Sequence, residues 1–250
     1  MAYLFLCSVK SRKGSNAKYS CSSVGHCSLL HLYMLIKELT LLTNEISATK
    51  DFYHGLMEFP LVQETATAVS FKTGNSILHF RLAAKDDSPF YHIAFSIPNN
   101  KLQEALHWVS KRTNILPYTE TELIADFTGW NAKAFYFHDN RQNILEFITH
   151  FDLHTNQNDP FSSNAVERIC EAGVVVDDVS AACKNINSIY NIPYFVKGPF
   201  MKDFAVMGDS EGLLIISKTH RGWLPTQRPS EKFPLNIIVE NNHEVKELFF

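Results

Sequence analysis

The order in which candidate strands and helices follow one another constrains this chain more than any single motif does. Glu38-Leu-Thr-Leu-Leu-Thr43 alternates like a strand, Asn44 interrupts it, and Ser47 is placed to cap a helix over 48–56 with Phe52, Tyr53 and Leu56 on one side. Strands are predicted at 61–63, 68–72 and 76–83, the last two joined by a tight Gly74-Asn75 turn. After the polar connector at 85–89 the order recurs. A strand at 91–97 is followed by a helix over 101–111 carrying Leu102, Ala105, Leu106 and Val109, then by strands near 118–122, 133–138 and 143–149. Strand, helix and three strands, twice over, define two βαβββ modules at about 36–84 and 90–150. Two such units can form one sheet that curls around a central cavity.

A third copy starts beyond the linker 155–164. Glu171-Ala-Gly-Val-Val-Val-Asp177 has the character of the segment beginning at Glu38, and a helix over 180–190 and strands near 204–207 and 212–218 follow. A strand at 233–239 would open a fourth unit, but 245–250 ends the chain before that unit is complete. Residues 165–250 therefore read as an incomplete module whose open sheet must be covered by the first domain or by a second protomer. On that ground a homodimer is expected.

Composition narrows the function classes. About 45% of residues are hydrophobic and 20% charged, and the formal charge is −3. These are globular values with no basic footprint, which argues against a nucleic-acid partner. No apolar run reaches the roughly 18–20 residues needed to span a bilayer, so no membrane association is expected. The five cysteines, Cys7, Cys21, Cys27, Cys170 and Cys183, are odd in number and form no CxxC pair. A disulfide framework and a cysteine-ligated zinc are thus both disfavoured, and a reduced, cytoplasmic protein is expected. Residues 1–33 follow neither structural period and read as a disordered extension preceding Met34.

The segment Ala134-Phe-Tyr-Phe-His-Asp-Asn-Arg-Gln-Asn-Ile-Leu-Glu-Phe-Ile148 resembles the closing hairpin of the vicinal-oxygen-chelate superfamily, the glyoxalase I, bleomycin resistance and ring-cleaving dioxygenase proteins. Asp139, Asn143 and Glu146 match that pattern, whereas Asn140 and Gln142 replace its usual Pro and Gly. Asn44, Phe52-Tyr53 and Leu56-Met-Glu-Phe59 resemble the family's opening segment, with Met57 and Glu58 as departures. The resemblance covers roughly 115 residues and implies an α+β fold. In it, 34–154 forms a complete domain, a curled, barrel-like mixed sheet of paired βαβββ modules around a cavity.

The resemblance also implies a ligand set. The family's metal positions fall on Glu38, His79, His92 and Glu146. Two imidazoles and two carboxylates suit one divalent ion such as zinc, nickel, cobalt, manganese or ferrous iron. Glu146 or Glu38 would then act as proton-shuttling base. Tyr136, ten residues before Glu146, matches the spacing of an active-site tyrosine in the dioxygenases. Arg81 shares a strand face with His79 and is placed to bind a substrate carboxylate, and Trp130 to border the cavity mouth. Glu38 departs from the histidine that ring-cleaving relatives carry there, which favours a glyoxalase-like lyase over a dioxygenase.

In the third unit Glu171 matches Glu38, but Ile215 stands where His79 would, so no second metal site is expected. The His220-Arg-Gly-Trp223 cluster reads as a surface turn. The expected function is a metal-dependent lyase, isomerase or oxygenase acting on a small molecule with vicinal oxygens. The alternative is a metal-free protein that sequesters an antibiotic or toxin in the cavity.

Overall fold

The computed structural model describes residues 33–84 and 87–250. The expected N-terminal extension thus lies outside the described residues except for Tyr33. Sixteen strands are present among those described: β1 Met34–Thr43, β2 Leu61–Glu64, β3 Ala68–Thr73, β4 Ser76–Leu82, β5 His92–Ser96, β6 Ile115–Leu116, β7 Ile124–Phe127, β8 Ala132–His138, β9 Ile144–His150, β10 Arg168–Val176, β11 Phe204–Asp209, β12 Gly212–Lys218, β13 Gly222–Trp223, β14 Arg228–Pro229, β15 Asn236–Asn241 and β16 Glu244–Phe249. Helix α1 is Ile46–Lys50 and continues as a wider π-helical turn over Asp51–Leu56; α2 is Leu102–Ser110 and α3 is Val179–Tyr190. The fold is α+β, with two mixed sheets and few helices.

The expected order of elements is present, with local differences. Ser47 is not the cap of α1, whose N-cap is Glu45 without a side-chain bond. In place of a strand at 118–122 the chain turns. The Tyr118 and Thr119 amides both donate to the Glu122 carbonyl, and Thr119 Oγ1 accepts from the Thr121 and Glu122 amides. The strands β6 and β7 flank this turn. A side-chain oxygen that competes for backbone donors explains why the apolar count around it did not make a strand.

Strand pairing differs from the arrangement the sequence suggested. The first sheet runs β16-β15-β1-β4-β3-β2 and the second β11-β12-β10-β5-β9-β8-β6, with β7 on β8. The first module is therefore completed by the C-terminal hairpin, and the second by the third. β1 has β15 and β4 on its two sides, and β5 has β9 and β10, so neither offers an edge to the other. The open edge that suggested a second protomer is filled within the chain.

The two sheets share a core of large side chains, including Tyr53, Phe59, Phe71, Phe80, Phe95, Phe135, Phe137 and Phe147. Phe147 packs against Phe95, Phe135 and Phe137 at centroid distances of 5.9, 5.7 and 5.2 Å. One polar clasp joins the sheets at their ends. Ser76 Oγ donates to the Ile36 carbonyl at 2.6 Å and accepts from the Ile169 amide at 3.0 Å. No helix among the described residues is long and apolar enough to cross a membrane.

Candidate metal centre and cavity

The second sheet's inner face is organised around Ala94. On one side Ala94 pairs in parallel with Glu146 of β9, and on the other it opposes Glu171 of β10. Alternation places His92, two residues earlier, on the same face. A methyl group between two carboxylates leaves open space that a larger residue would fill. The pairing of β10 with β5 shifts between Ile169 and Glu171, a bulge-like irregularity of the kind that re-aims a side chain. Gly173 does the rest. A Cβ there would stand 3.0 Å from Trp223 and 3.1 Å from the His92 Cβ, so only a glycine lets the Trp223 ring settle over His92, at 5.3 Å between centroids.

The result is a buried three-residue cluster. Ligand atoms of His92, Glu146 and Glu171 all lie within 4.8 Å of one another, and each residue is buried. His92 Nε2 is 3.4 Å from Glu146 Oε2 and 3.6 Å from Glu171 Oε2, too far for good hydrogen bonds but suited to a shared ion. Among the described residues, His92 Nδ1 and Glu171 Oε1 have no hydrogen-bond partner. Burial raises the Glu146 carboxyl pKa well above the usual carboxylate range. The Glu171 charge raises it further, and Tyr136, which opposes Glu146 across β8 and β9, pulls it back. Burial also holds the Tyr136 hydroxyl in its protonated form, with Glu146 and Glu171 adding to the effect. Tyr136 is thus a hydrogen-bond donor, and a weak acid, beside the two carboxylates.

These residues form the floor of a cavity of about 260 Å³. Its walls include Phe127, Trp130, Phe204, Ile215 and Trp223, and Pro199, Met201, Arg221 and Leu224 complete the lining. Trp130 is fixed there by its indole N–H, which donates to the Gly198 carbonyl at 2.9 Å. Lys197 of the same loop bonds the Trp130 carbonyl at 2.8 Å and pairs with Asp152.

The structure divides the sequence-predicted ligand set between the two sheets. His92 and Glu146 meet in the second sheet, and Tyr136 and Trp130 border the same cavity. Glu38 and His79 lie in the first sheet and are no part of the cluster. They pair with each other at 2.9 Å, and His79 Nδ1 is 2.7 Å from Ser70 Oγ. Both are partly exposed, and Arg81, which follows on the same strand face, is exposed.

Glu171, and not Glu38, stands beside His92 and Glu146, so the third unit contributes to this one cluster, and no second cluster of potential ligands is found among the described residues. The signal was there, because Glu171 holds the position of Glu38 in its own repeat. The pairing of modules, which no periodicity reveals, was the missing piece. Ile215 stands where a fourth ligand would and lines the cavity instead. One imidazole and two carboxylates form an open three-donor set, which fits a divalent ion of the manganese, iron, nickel, cobalt or zinc type with positions left for substrate.

No family model and no curated protein matches the chain. Solved structures do. A Bacillus subtilis protein described provisionally as a dioxygenase aligns over 87% of this chain and 85% of its own at 12% identity and a TM-score of 0.55. Two variants of glyoxalase I from Zea mays align over 75% of this chain. One is covered over 69% at 12% identity with a TM-score of 0.51, the other over 68% at 14% with 0.50. At these identities the likeness is one of fold. The two mixed sheets are thus arranged as in these glyoxalase and dioxygenase-like structures, a likeness of α+β fold.

Proposed function

We propose that the cavity between the second and third modules is a small-molecule site built on a divalent cation held by His92, Glu146 and Glu171. In this reading the protein is a metal-dependent lyase, isomerase or oxygenase for a substrate with two adjacent oxygens. The observation that carries it is the convergence of three buried donor atoms within 4.8 Å at the floor of an aromatic cavity. Two buried carboxylates beside an imidazole are costly unless an ion or a proton compensates them. When bound, the ion supplies Lewis-acid polarisation of the chelated oxygens. The protein's own groups do the rest. Tyr136 donates a hydrogen bond to a substrate oxygen, Glu146 exchanges a proton with the substrate, and the aromatic walls exclude water. Glu38 and His79 stand outside this set.

The raised Glu146 carboxyl pKa favours a second reading in one respect. Without an ion a proton on Glu146 removes one buried charge, which suits a metal-free cavity that sequesters an apolar compound.

Elemental analysis of protein purified without chelators or affinity tag separates the two, beside Glu146→Gln, Glu171→Gln and Glu38→Gln variants. About one ion per chain, lost in the first two variants and kept in the third, is the expected result. No ion in the unmodified protein, even after incubation with manganese, ferrous iron, nickel, cobalt or zinc, overturns the metal reading and leaves the binding protein.

A further inference from the structure

In the cluster His220-Arg-Gly-Trp223, His220 is an exposed turn residue, as the sequence suggested, but Arg221 and Trp223 line the cavity. A small two-stranded hairpin, β13 with β14, brings Trp223 over His92 and sets Arg221 into the same lining. The backbone at Arg221 is fixed by three bonds. Its amide donates to the Lys218 carbonyl at 3.1 Å, its carbonyl accepts from Ser230 at 2.8 Å, and His220 donates to the Ser230 carbonyl at 2.8 Å.

The guanidinium is placed but little committed. It stacks over the Phe204 ring at 4.2 Å, which orients its plane. Its Nε is 3.6 Å from Asp203, a carboxylate that is itself half-exposed. The other contact is a long bond to the Gly222 carbonyl at 3.4 Å. A guanidinium carries five N–H donors in a rigid fork, so most of this one's capacity is free to meet a ligand.

The charges of the cavity are ordered. Glu146 and Glu171 at the floor repel an anion, and Arg221 is the cation of the lining. The lining also holds the rings of Phe127, Trp130, Tyr136, Phe204 and Trp223, with Trp223 over His92 and Phe204 under the Arg221 guanidinium. A volume of about 260 Å³ lies below the range usual for drug-sized ligands and suits one ring with a short substituent.

We propose that Arg221 is a specificity-determining residue that receives the carboxylate of a planar aromatic acid, whose ring lies between the aromatic walls with its opposite end toward the floor. The inference rests on the reading of this cavity as a small-molecule site. Its chemistry is that of a fork donating to a planar carboxylate, geometry that Lys cannot reproduce.

The test is titration of the full-length protein with benzoate and phenylacetate, and with the neutral isosteres benzamide and phenylacetamide, followed by fluorescence of Trp130 and Trp223. At pH 7 the acids should bind at least about tenfold more tightly than the amides. Arg221→Gln should abolish that preference, and Arg221→Lys should restore only part of it. Asp203→Asn, which removes the competing carboxylate, should strengthen acid binding and keeps the test available if Arg221→Gln does not fold. Equal binding of acids and amides, an unchanged preference in Arg221→Gln, or no acid binding at all overturns the inference, as does an Asp203→Asn variant that leaves acid affinity unaltered. The metal reading fails separately, by the absence of an ion, whatever the acid preference proves to be.

Discussion

Ala94 shows how little chemistry a site-defining residue needs. It carries no functional group, yet its small side chain separates Glu146 from Glu171 and leaves the floor of the cavity open. Replacing it with Leu should cost about 1–3 kcal/mol from overpacking. It should also remove most metal uptake, because the added side chain would stand where the proposed ion would lie. Uptake equal to that of the unmodified protein in a folded Ala94→Leu variant would refute this geometry. A second prediction at this scale concerns thiols. Burial pushes Cys183 up to about 11 and raises Cys170 well beyond its ordinary range. Because the folded-state values lie above that of an unfolded thiol, near 8.5, these groups favour folding below about pH 8.5 and lose that contribution as pH rises toward 11. Alkylation mapped by mass spectrometry should leave both unlabelled at pH 8 in the native protein and label both in urea. Rapid native labelling at pH 8 would show that they are accessible as thiolates.

Among the elements, the hairpin joining β8 to β9 is the clearest case of a motif legible in sequence whose role is structural. Asp139 is buried and accepts from Tyr53 Oη at 2.8 Å, from the Arg141 and Asn143 amides at 2.8 and 2.9 Å, and from Asn143 Nδ2 at 2.6 Å. Asn143 Oδ1 in turn accepts from the Tyr91 amide at 2.7 Å, which ties the hairpin to the entry of β5. The hairpin thereby fixes the register that presents Glu146 opposite Tyr136. Asp139→Ala strands several buried donors at once and should cost about 2–4 kcal/mol in urea unfolding. A cost within a few tenths of zero would mean that the turn holds without this carboxylate. The helix α1 illustrates the opposite case. Phe52, Tyr53 and Leu56 were correctly placed in a helix, but its change to a π-helical turn at Asp51 leaves no mark in the periodicity, and Leu56 is exposed there while Phe52 and Tyr53 are buried.

For the whole molecule, the decisive fact is which modules pair. The C-terminal hairpin of β15 and β16 covers the outer edge of β1, a ten-residue strand rich in Leu and Ile. Removing residues 236–250 should expose that edge and produce aggregation visible by light scattering, since long apolar edges recruit further strands. A truncated chain that stays monodisperse and melts as the full one does would show the hairpin to be dispensable. By itself the sequence determined the order of elements, the α+β class, the hairpin motif and the candidacy of His92, Glu146, Tyr136 and Trp130. The order and class follow from side-chain periodicity, a property of local chain geometry, whereas the candidacy of the site residues followed from the resemblance of the closing hairpin and its neighbours to the vicinal-oxygen-chelate family. Only the tertiary structure decided that Glu171 rather than Glu38 completes the cluster, that His79 turns to Glu38 and Ser70, and that Arg221 and Trp223 enter the cavity. The composition of the cluster and of the cavity wall depends on which edge of β5 is filled by β10. That choice is settled by contacts between residues some 80 positions apart, such as Gly173 against His92, rather than by any pattern along the chain.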